Sequence, residues 1–230
     1  MIKAVFFDLY QTLIHYDPPR EELEREALSG FGIEVTLENL RRAIFAADEF
    51  MYRDLAQLSW NKRSEEEKAA LYAQYQVVLL KEAGVGASQQ LVKEITRKMQ
   101  QIDFKKVLFD DVKPVLTLLR ERGLTLGMIS NVNSDITPLC QELGLSELLQ
   151  IVVTSQDVGV SKPHPEIFQE ALRQAEVQAD EAIYVGDQYQ IDVEGANGAG
   201  MKGVLLDRGE ARETAPSPKI KGLIELINFL

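Results

Sequence analysis

The chain opens on an apolar run, IKAVFFDLY over Ile2–Tyr10, with too little polar alternation for a strand wetted on one side. It predicts a strand buried on both faces. The run is interrupted by one carboxylate, Asp8. From about Pro18 to Gln101 the rhythm changes. REELEREALSGFG, LENLRRAIFAADEFMYRDLAQL, SEEEKAALYAQYQVVLLKEAG and SQQLVKEITRKMQQI repeat apolar residues at helical intervals, with Thr36, Ser64 and Ser88 placed as N-caps. Four helices in succession without a convincing strand predict a bundle. Its aromatic residues Phe45, Phe50, Tyr52, Trp60, Tyr72 and Tyr75 recur at helical spacing. Most are expected in the bundle core.

After Asp110 helices and strands alternate. VKPVLTLLRERG leads to LTLGMIS, SDITPLCQELG to QIVVTS, HPEIFQEALRQAE to AIYVGD, and IDVEGANGAG to KGVLLD; a last helix, IKGLIELINFL, closes the chain. This alternation predicts a doubly wound, Rossmann-like α/β core with a parallel sheet and helices on both faces. The core is expected from residues 1–15 and 103–230, with the four-helix segment 16–102 inserted after the first strand. Residues 208–219, RGEARETAPSPK, read as a polar loop. Ligands of open parallel sheets bind beyond the carboxyl ends of the strands. The positions to watch are Asp8, Ser130-Asn131, Ser155 to Pro165, and Gly186-Asp187.

Composition narrows the chemistry. A chain of 230 residues, 45% apolar and 27% charged, is long enough to bury a full core and ordinary for a soluble globular protein. The net charge of -11 opposes general nucleic-acid binding. A small anionic substrate remains open to it, given a local cluster of positive charge and N–H donors. The lone cysteine, Cys140, excludes an internal disulfide, fits a reducing compartment, and lies on the apolar side of ITPLCQELG as a core residue. No signal-peptide pattern is read, and no stretch approaches the ~18 apolar residues of a membrane span. A cytoplasmic location is expected, as a monomer or weak homodimer.

Each strand-end residue has a bland and a chemical reading. Asp8 alone suits a turn or helix cap. Asp187, directly after a buried strand, and Asp192, on the opening turn of the next helix, change that weighing. Carboxylates gathered at one sheet edge repel unless a cation neutralises them, and hard oxygen ligands suit Mg2+. Ser130 and Asn131 are either a helix cap or an anion seat. Lys162 is either a surface lysine or the counter-charge to these acids. His15 and His164 lack metal-ligand partners at usable spacing and read as polar loop residues.

The segments FFDLYQTL, MISN, SKPHPEIF and YVGDQYQID resemble, in order, motifs one to four of the haloacid-dehalogenase-like hydrolase superfamily. They span nearly the whole chain, and the helical insertion is similar to that superfamily's helical cap. The resemblance implies that Asp8 is a nucleophile that forms a covalent aspartyl intermediate. Thr12 would hydrogen-bond near it. Ser130 and Asn131 would bind the substrate's anionic group, and Lys162 would pair with both carboxylate and substrate. In the phosphatase branch Asp187 and the backbone carbonyl of Tyr10 join Asp8 in holding Mg2+, and Asp192 supports that shell.

Tyr10 departs from the phosphatase pattern, which carries a second Asp there to protonate the leaving oxygen and activate water. A phenol of reference pKa ~10 is a poor base near neutrality, and general acid–base help is worth roughly 10²–10⁴-fold. Tyrosine is what the dehalogenase branch shows, where halide leaves without a proton. That branch also needs a cap arginine; NLRRAIF offers Arg41 and Arg42, with Arg42 the choice. Gln11 is a second departure, standing where Gly is usual. Against the dehalogenase reading, Gly186-Asp187 and Asp192 retain the metal motif. Three readings result: Mg2+-dependent phosphatase, which the metal motif favours, metal-free 2-haloacid dehalogenase, and a non-catalytic member that binds a phosphorylated ligand or a protein.

Overall fold

The computed structural model describes residues 1–58, 60–99, 101–132, 134–209 and 218–230. Strand β1 (Ala4–Phe7) is followed by a tight turn and β2 (Ile14–Asp17). Helices α1 (Arg20–Ser29), α2 (Leu37–Gln57), α3 (Glu65–Glu82) and α4 (Gln89–Met99) come next, then β3 (Lys105–Leu108), α5 (Val112–Glu121), β4 (Thr125–Ser130), α6 (Thr137–Glu142) and β5 (Ile151–Thr154). The chain continues through α7 (Ser155–Val158), α8 (Pro165–Ala175), β6 (Ala182–Gly186), a π-helical turn at Tyr189–Val193, α9 (Glu194–Gly198), β7 (Lys202–Leu206), β8 (Lys219–Ile220) and a 3₁₀ helix at Leu223–Phe229. It divides into two compact units, residues 1–15 with 107–230, and residues 16–106. No helix among the described residues is long and apolar enough to cross a membrane.

The first unit is a six-stranded sheet in the order β5-β4-β1-β6-β7-β8, and every neighbouring pair runs parallel. β1 is buried on both faces, as its unbroken apolar run requires. Val5 and Phe7 enter one core with Val112, Leu116 and Leu223, while Ala4 and Phe6 enter another with Phe168, Ala171 and Ala196. The fold is thus α/β and doubly wound. The chain adds β4 and β5 on one side of β1, then returns to add β6, β7 and β8 on the other. That reversal places the carboxyl end of β1 where such folds bind ligands.

Two local expectations are corrected, and a third lies mostly outside the described residues. The closing segment is not one helix: Lys219 and Ile220 pair with Leu205 and Leu206 as an edge strand, and extended backbone at Gly222 precedes the 3₁₀ helix. β2 and β3 form a separate two-stranded sheet that no periodicity announced, since four residues are too short to show alternation. Of the expected polar loop 208–219, residues 210–217 lie outside the described residues.

The helical unit packs α1 to α4 around Leu28, Leu40, Ala43, Ile44, Leu79, Leu80, Val92 and Ile95. Thr36 and Ser88 accept from backbone N–H groups three residues on, and Ser64 forms a reciprocal capping box with Glu67. The aromatic residues are mostly not its core. Phe45, Phe50, Tyr52 and Trp60 are only partly buried, and Tyr72 is exposed with its ring edge-on to Trp60. Aliphatic and alanine positions fill the centre. Tyr75 is the buried exception. Its hydroxyl donates to Asp48 at 3.0 Å and accepts from Arg20, which forms a bidentate pair with Asp48 at 2.7 and 2.8 Å.

Candidate active site

Asp8 extends the β1–β6 ladder one residue beyond the strand, its N–H donating to Val185 at 2.8 Å. The chain then turns sharply. The N–H groups of Leu13 and Ile14 both donate to the Leu9 carbonyl, and the Gln11 N–H donates to Ile14 at 2.7 Å. Gln11 adopts φ 59°, which is why glycine is usual at such a position; a side chain there costs about 1–2 kcal/mol. The turn is held from outside by Arg208, just past β7. Arg208 donates to the Thr12 carbonyl at 3.0 Å, pairs in bidentate fashion with Asp111 at 2.8 and 3.0 Å, and lies 4.0 Å from the centre of the Phe109 ring.

Four charged or polar groups converge beneath the turn. Lys162 donates to Asp8 Oδ1 at 2.6 Å, Asp192 Oδ1 at 2.7 Å and the Tyr184 hydroxyl at 2.7 Å. Lys162 is 2% exposed, Asp8 7% and Asp192 1%, so these charges meet largely without water. Burial raises the Asp8 carboxyl to about 6; Lys162 opposes that rise and Asp192 adds to it. Burial works against the Lys162 charge, but Asp192 and Asp8 outweigh it and hold the ammonium above its ordinary range. Ser130, at the end of β4, donates to Asp8 Oδ1 at 3.5 Å. Asn131 uses its amide on the Lys162 backbone, donating to the carbonyl at 3.0 Å and accepting from the N–H at 2.7 Å. It therefore fixes the lysine loop to the end of β4.

Asp8, Lys162, Ser130, Asn131, Asp187 and Asp192 are brought together at one sheet edge, with Tyr10 half-buried on the adjoining turn. One expected residue behaves differently. Thr12 does not make the hydrogen bond expected near Asp8: its Oγ1 is buried with no partner, and the turn is tied through its carbonyl instead. Arg42 belongs to the helical unit, exposed on α2 and donating to Asn39. Of the residues set aside, His15 packs 4.6 Å from Phe109, His164 is exposed before α8, and Cys140 is buried in the core.

The donor set fits a hard divalent cation. One carboxylate oxygen from each of Asp8, Asp187 and Asp192 lies within 4.8 Å of the others, and such oxygens suit Mg2+. The three are not equivalent. Asp192 has both oxygens engaged, Oδ1 by Lys162 and Oδ2 by the Gln188 N–H at 2.9 Å. It stands behind the site, whereas the Lys162 and Ser130 bonds to Asp8 both fall on Oδ1 and the backbone N–H of Leu9 also donates to the Asp8 carboxylate. Gly186 makes this arrangement possible. A Cβ there would lie 2.3 Å from the Asp192 carboxylate.

Tyr184 and Arg208 were missed from the sequence. Tyr184 sits within the apolar run of β6, where it reads as core, and its hydroxyl was the available signal: a buried phenol usually has a partner. Arg208 had no signal, since a lysine or arginine after a strand is usually solvated.

The haloacid dehalogenase-like hydrolase family matches residues 2–200. The chain is 33% identical over 218 residues to a glyceraldehyde 3-phosphate phosphatase of Methanopyrus kandleri, covering 94% of this chain and 88% of that protein. It is 27% identical to a phosphoserine phosphatase of Thermus thermophilus, covering 98% of each. The crystal structure of a 2-haloacid dehalogenase from Pseudomonas syringae pv. Tomato matches with a TM-score of 0.56 at 30% identity, covering 99% of this chain and 97% of that one. With four ordered motifs meeting at one sheet edge and the family match running through all of them, the chain belongs to the haloacid dehalogenase-like hydrolases.

Proposed function

We propose that the protein is a Mg2+-dependent phosphatase that acts on a small phosphorylated metabolite through a covalent intermediate on Asp8. The observation that carries this reading is the retained acidic cluster, with Asp187 and Asp192 within 4.8 Å of the Asp8 carboxylate. Without a cation these acids would repel an anionic substrate. The relatives named as phosphatases support the choice of a phosphate ester.

In the first step an Asp8 oxygen attacks phosphorus. A P–O bond to Asp8 forms as the bond to the leaving oxygen breaks, and the electron pair departs with that oxygen. In the second, water attacks the same phosphorus, and the proton it sheds passes to solvent. The P–O bond to Asp8 breaks, phosphate leaves, and the carboxylate is restored. Lys162 offsets the charge of Asp8 so that two anions can approach. Ser130 would contact the phosphoryl group, with Asn131, whose amide holds the Lys162 loop, beside it. Mg2+, when bound, supplies charge neutralisation to nucleophile and phosphoryl oxygens; Asp8, Asp187 and the Tyr10 carbonyl would hold it, with Asp192 behind. Within the helical unit, Arg42 is the candidate to bind an anionic group of the substrate.

Tyr10 sets a limit on the substrate. Burial, and then the Asp8 charge, raise its phenol above the ordinary value, so it stays protonated near neutrality and cannot activate water as a base. The preferred leaving group needs little protonation, as in an acyl phosphate or aryl ester, unless the helical unit supplies the proton. Rates measured against leaving-group pKa are expected to fall steeply from aryl to alkyl esters. Equal, fast turnover of both, with no effect of helical-unit substitutions, rejects this limit.

Tyr10 also favours a second reading, metal-free dehalogenation of a 2-haloacid through an aspartyl ester. Assays with p-nitrophenyl phosphate and 2-chloropropionate, each with and without Mg2+, separate the two. Phosphate release that depends on Mg2+ is expected, and Asp8→Asn is expected to abolish it. Halide release without metal overturns the phosphatase reading.

A further inference from the structure

We propose that Tyr184 is a positioning residue for Lys162: its phenolic oxygen takes the third N–H of an ammonium whose other two are held by Asp8 and Asp192, and this fixes the line along which Lys162 meets Asp8. The inference rests on the reading of Asp8 and Lys162 as the working pair of the site.

An ammonium carries three donors and no acceptor. Buried beyond the reach of bulk water, each N–H of Lys162 needs a protein oxygen, and an unmatched one is costly. Asp8 Oδ1 at 2.6 Å and Asp192 Oδ1 at 2.7 Å take two, and the Tyr184 oxygen at 2.7 Å takes the third. The three acceptors come from the end of β1, the π-helical turn and β6. Held from three elements, Nζ cannot swing away from Asp8 without losing a bond.

Tyr184 is itself held. Its hydroxyl proton has the Ile129 carbonyl at 3.0 Å and Asp192 Oδ1 at 3.1 Å as acceptors, which leaves the oxygen's lone pairs for Lys162. The ring is fully buried and meets Phe168 edge-on, with centroids 5.2 Å apart at 86°. Phenylalanine would fill the same space among Phe6, Ile129 and Phe168. The hydroxyl therefore answers to the polar cluster rather than to packing. Ile129 directly precedes Ser130, so the same phenol ties the lysine to the end of β4.

Tyr184→Phe in the full chain removes only that oxygen. With p-nitrophenyl phosphate and Mg2+, kcat is expected to fall about tenfold or more while KM stays within twofold, and the melting temperature is expected to drop because one N–H of the buried ammonium loses its acceptor. A purely packing role, which phenylalanine fills equally well, would leave the melting temperature, kcat and KM all unchanged. The direct readout is the ¹H–¹⁵N signal of the Lys162 ammonium, assigned by its loss in Lys162→Met. An ammonium bonded at all three N–H groups exchanges slowly with water, so the wild type is expected to show the signal near neutral pH and Tyr184→Phe to lose or shift it. An unchanged signal overturns the proposal whatever the rates do, and so does an unchanged kcat in an active wild type. A wild type that turns over neither the phosphate ester nor the haloacid overturns the enzymatic reading alone, and the ammonium signal still decides the positioning. Replacing Tyr184 by 3-fluorotyrosine keeps shape and hydroxyl and should shift the same signal, so the test does not depend on the phenylalanine variant folding.

Discussion

Gly186 lacks a side chain because Asp192 occupies the space one would take. A Cβ at that position would meet the Asp192 carboxylate carbon at 2.3 Å, and crowding a close-packed interior typically costs about 1–3 kcal/mol. Gly186→Ala is therefore expected to lower the melting temperature by several degrees. It is also expected to depress kcat further than the stability loss explains, because a displaced Asp192 releases one of the three bonds on Lys162. Thermal melts beside steady-state rates check this. A destabilised variant of full activity would mean that Lys162 does not depend on Asp192 for its place. Gln11 shows the opposite compromise. It holds a positive φ that glycine would adopt freely, and the bonds from Gln11 to Ile14 and from Arg208 to Thr12 keep the turn closed despite that strain.

Among the elements, the contact of α1 with α3 carries an unusual polar load. Gln76 on α3 donates to Glu24 Oε1 on α1 at 3.3 Å, while Glu24 Oε2 and Gln76 Oε1 are both buried without a partner. A proton on Glu24 gives this pair the donor it lacks. Burial pushes the Glu24 carboxyl above its ordinary value of 4.5; the Gln76 bond and Arg20 on α1 oppose the rise, and Asp48 on α2 adds to it. The sign for stability follows. A group that gains affinity for its proton on folding contributes fully below its unfolded value, and the contribution is lost as pH rises through the folded one. Unfolding free energy is thus expected to decline as pH rises above about 4.5 on account of Glu24. Glu24→Gln, which cannot titrate, should flatten that decline. Denaturant melts of both proteins at a series of pH values measure it, and parallel curves would falsify the assignment.

For the whole molecule, an excess of 36 acidic over 25 basic residues makes the folded state self-repelling. Part of that repulsion is concentrated where Asp8, Asp187 and Asp192 meet. A cation bound there stabilises the folded chain by mass action, about 2.7 kcal/mol at a hundred times its dissociation constant. Mg2+ is expected to raise the melting temperature well beyond what NaCl does at equal ionic strength, and Asp187→Asn should remove most of the difference. Equal shifts from both salts would reduce the effect to general screening and leave the acidic cluster without a metal role.

Most of the longer elements and the order of the motifs were legible in the chain before any folding was considered. Burial pattern is local: β1 needs both faces covered because Ala4 to Phe7 are all apolar, and Thr36, Ser64 and Ser88 cap helices through bonds spanning three residues. Strand–helix alternation implied the parallel sheet, and the sheet's edge implied where Asp8, Ser130, Lys162 and Asp187 would meet. Short elements escaped, since β2, β3 and β8 hold too few residues to express a period. How the charges are shared emerged only from the packed fold. Lys162 and Tyr184 stand 22 positions apart, Lys162 and Asp8 154, and Arg208 and Thr12 196. No local pattern encodes such contacts, because a hydrogen bond forms wherever the fold brings donor and acceptor within reach. The same holds for Thr12, whose hydroxyl the fold left without a partner, and for the aromatic residues of the helical unit, most of which lie outside its core.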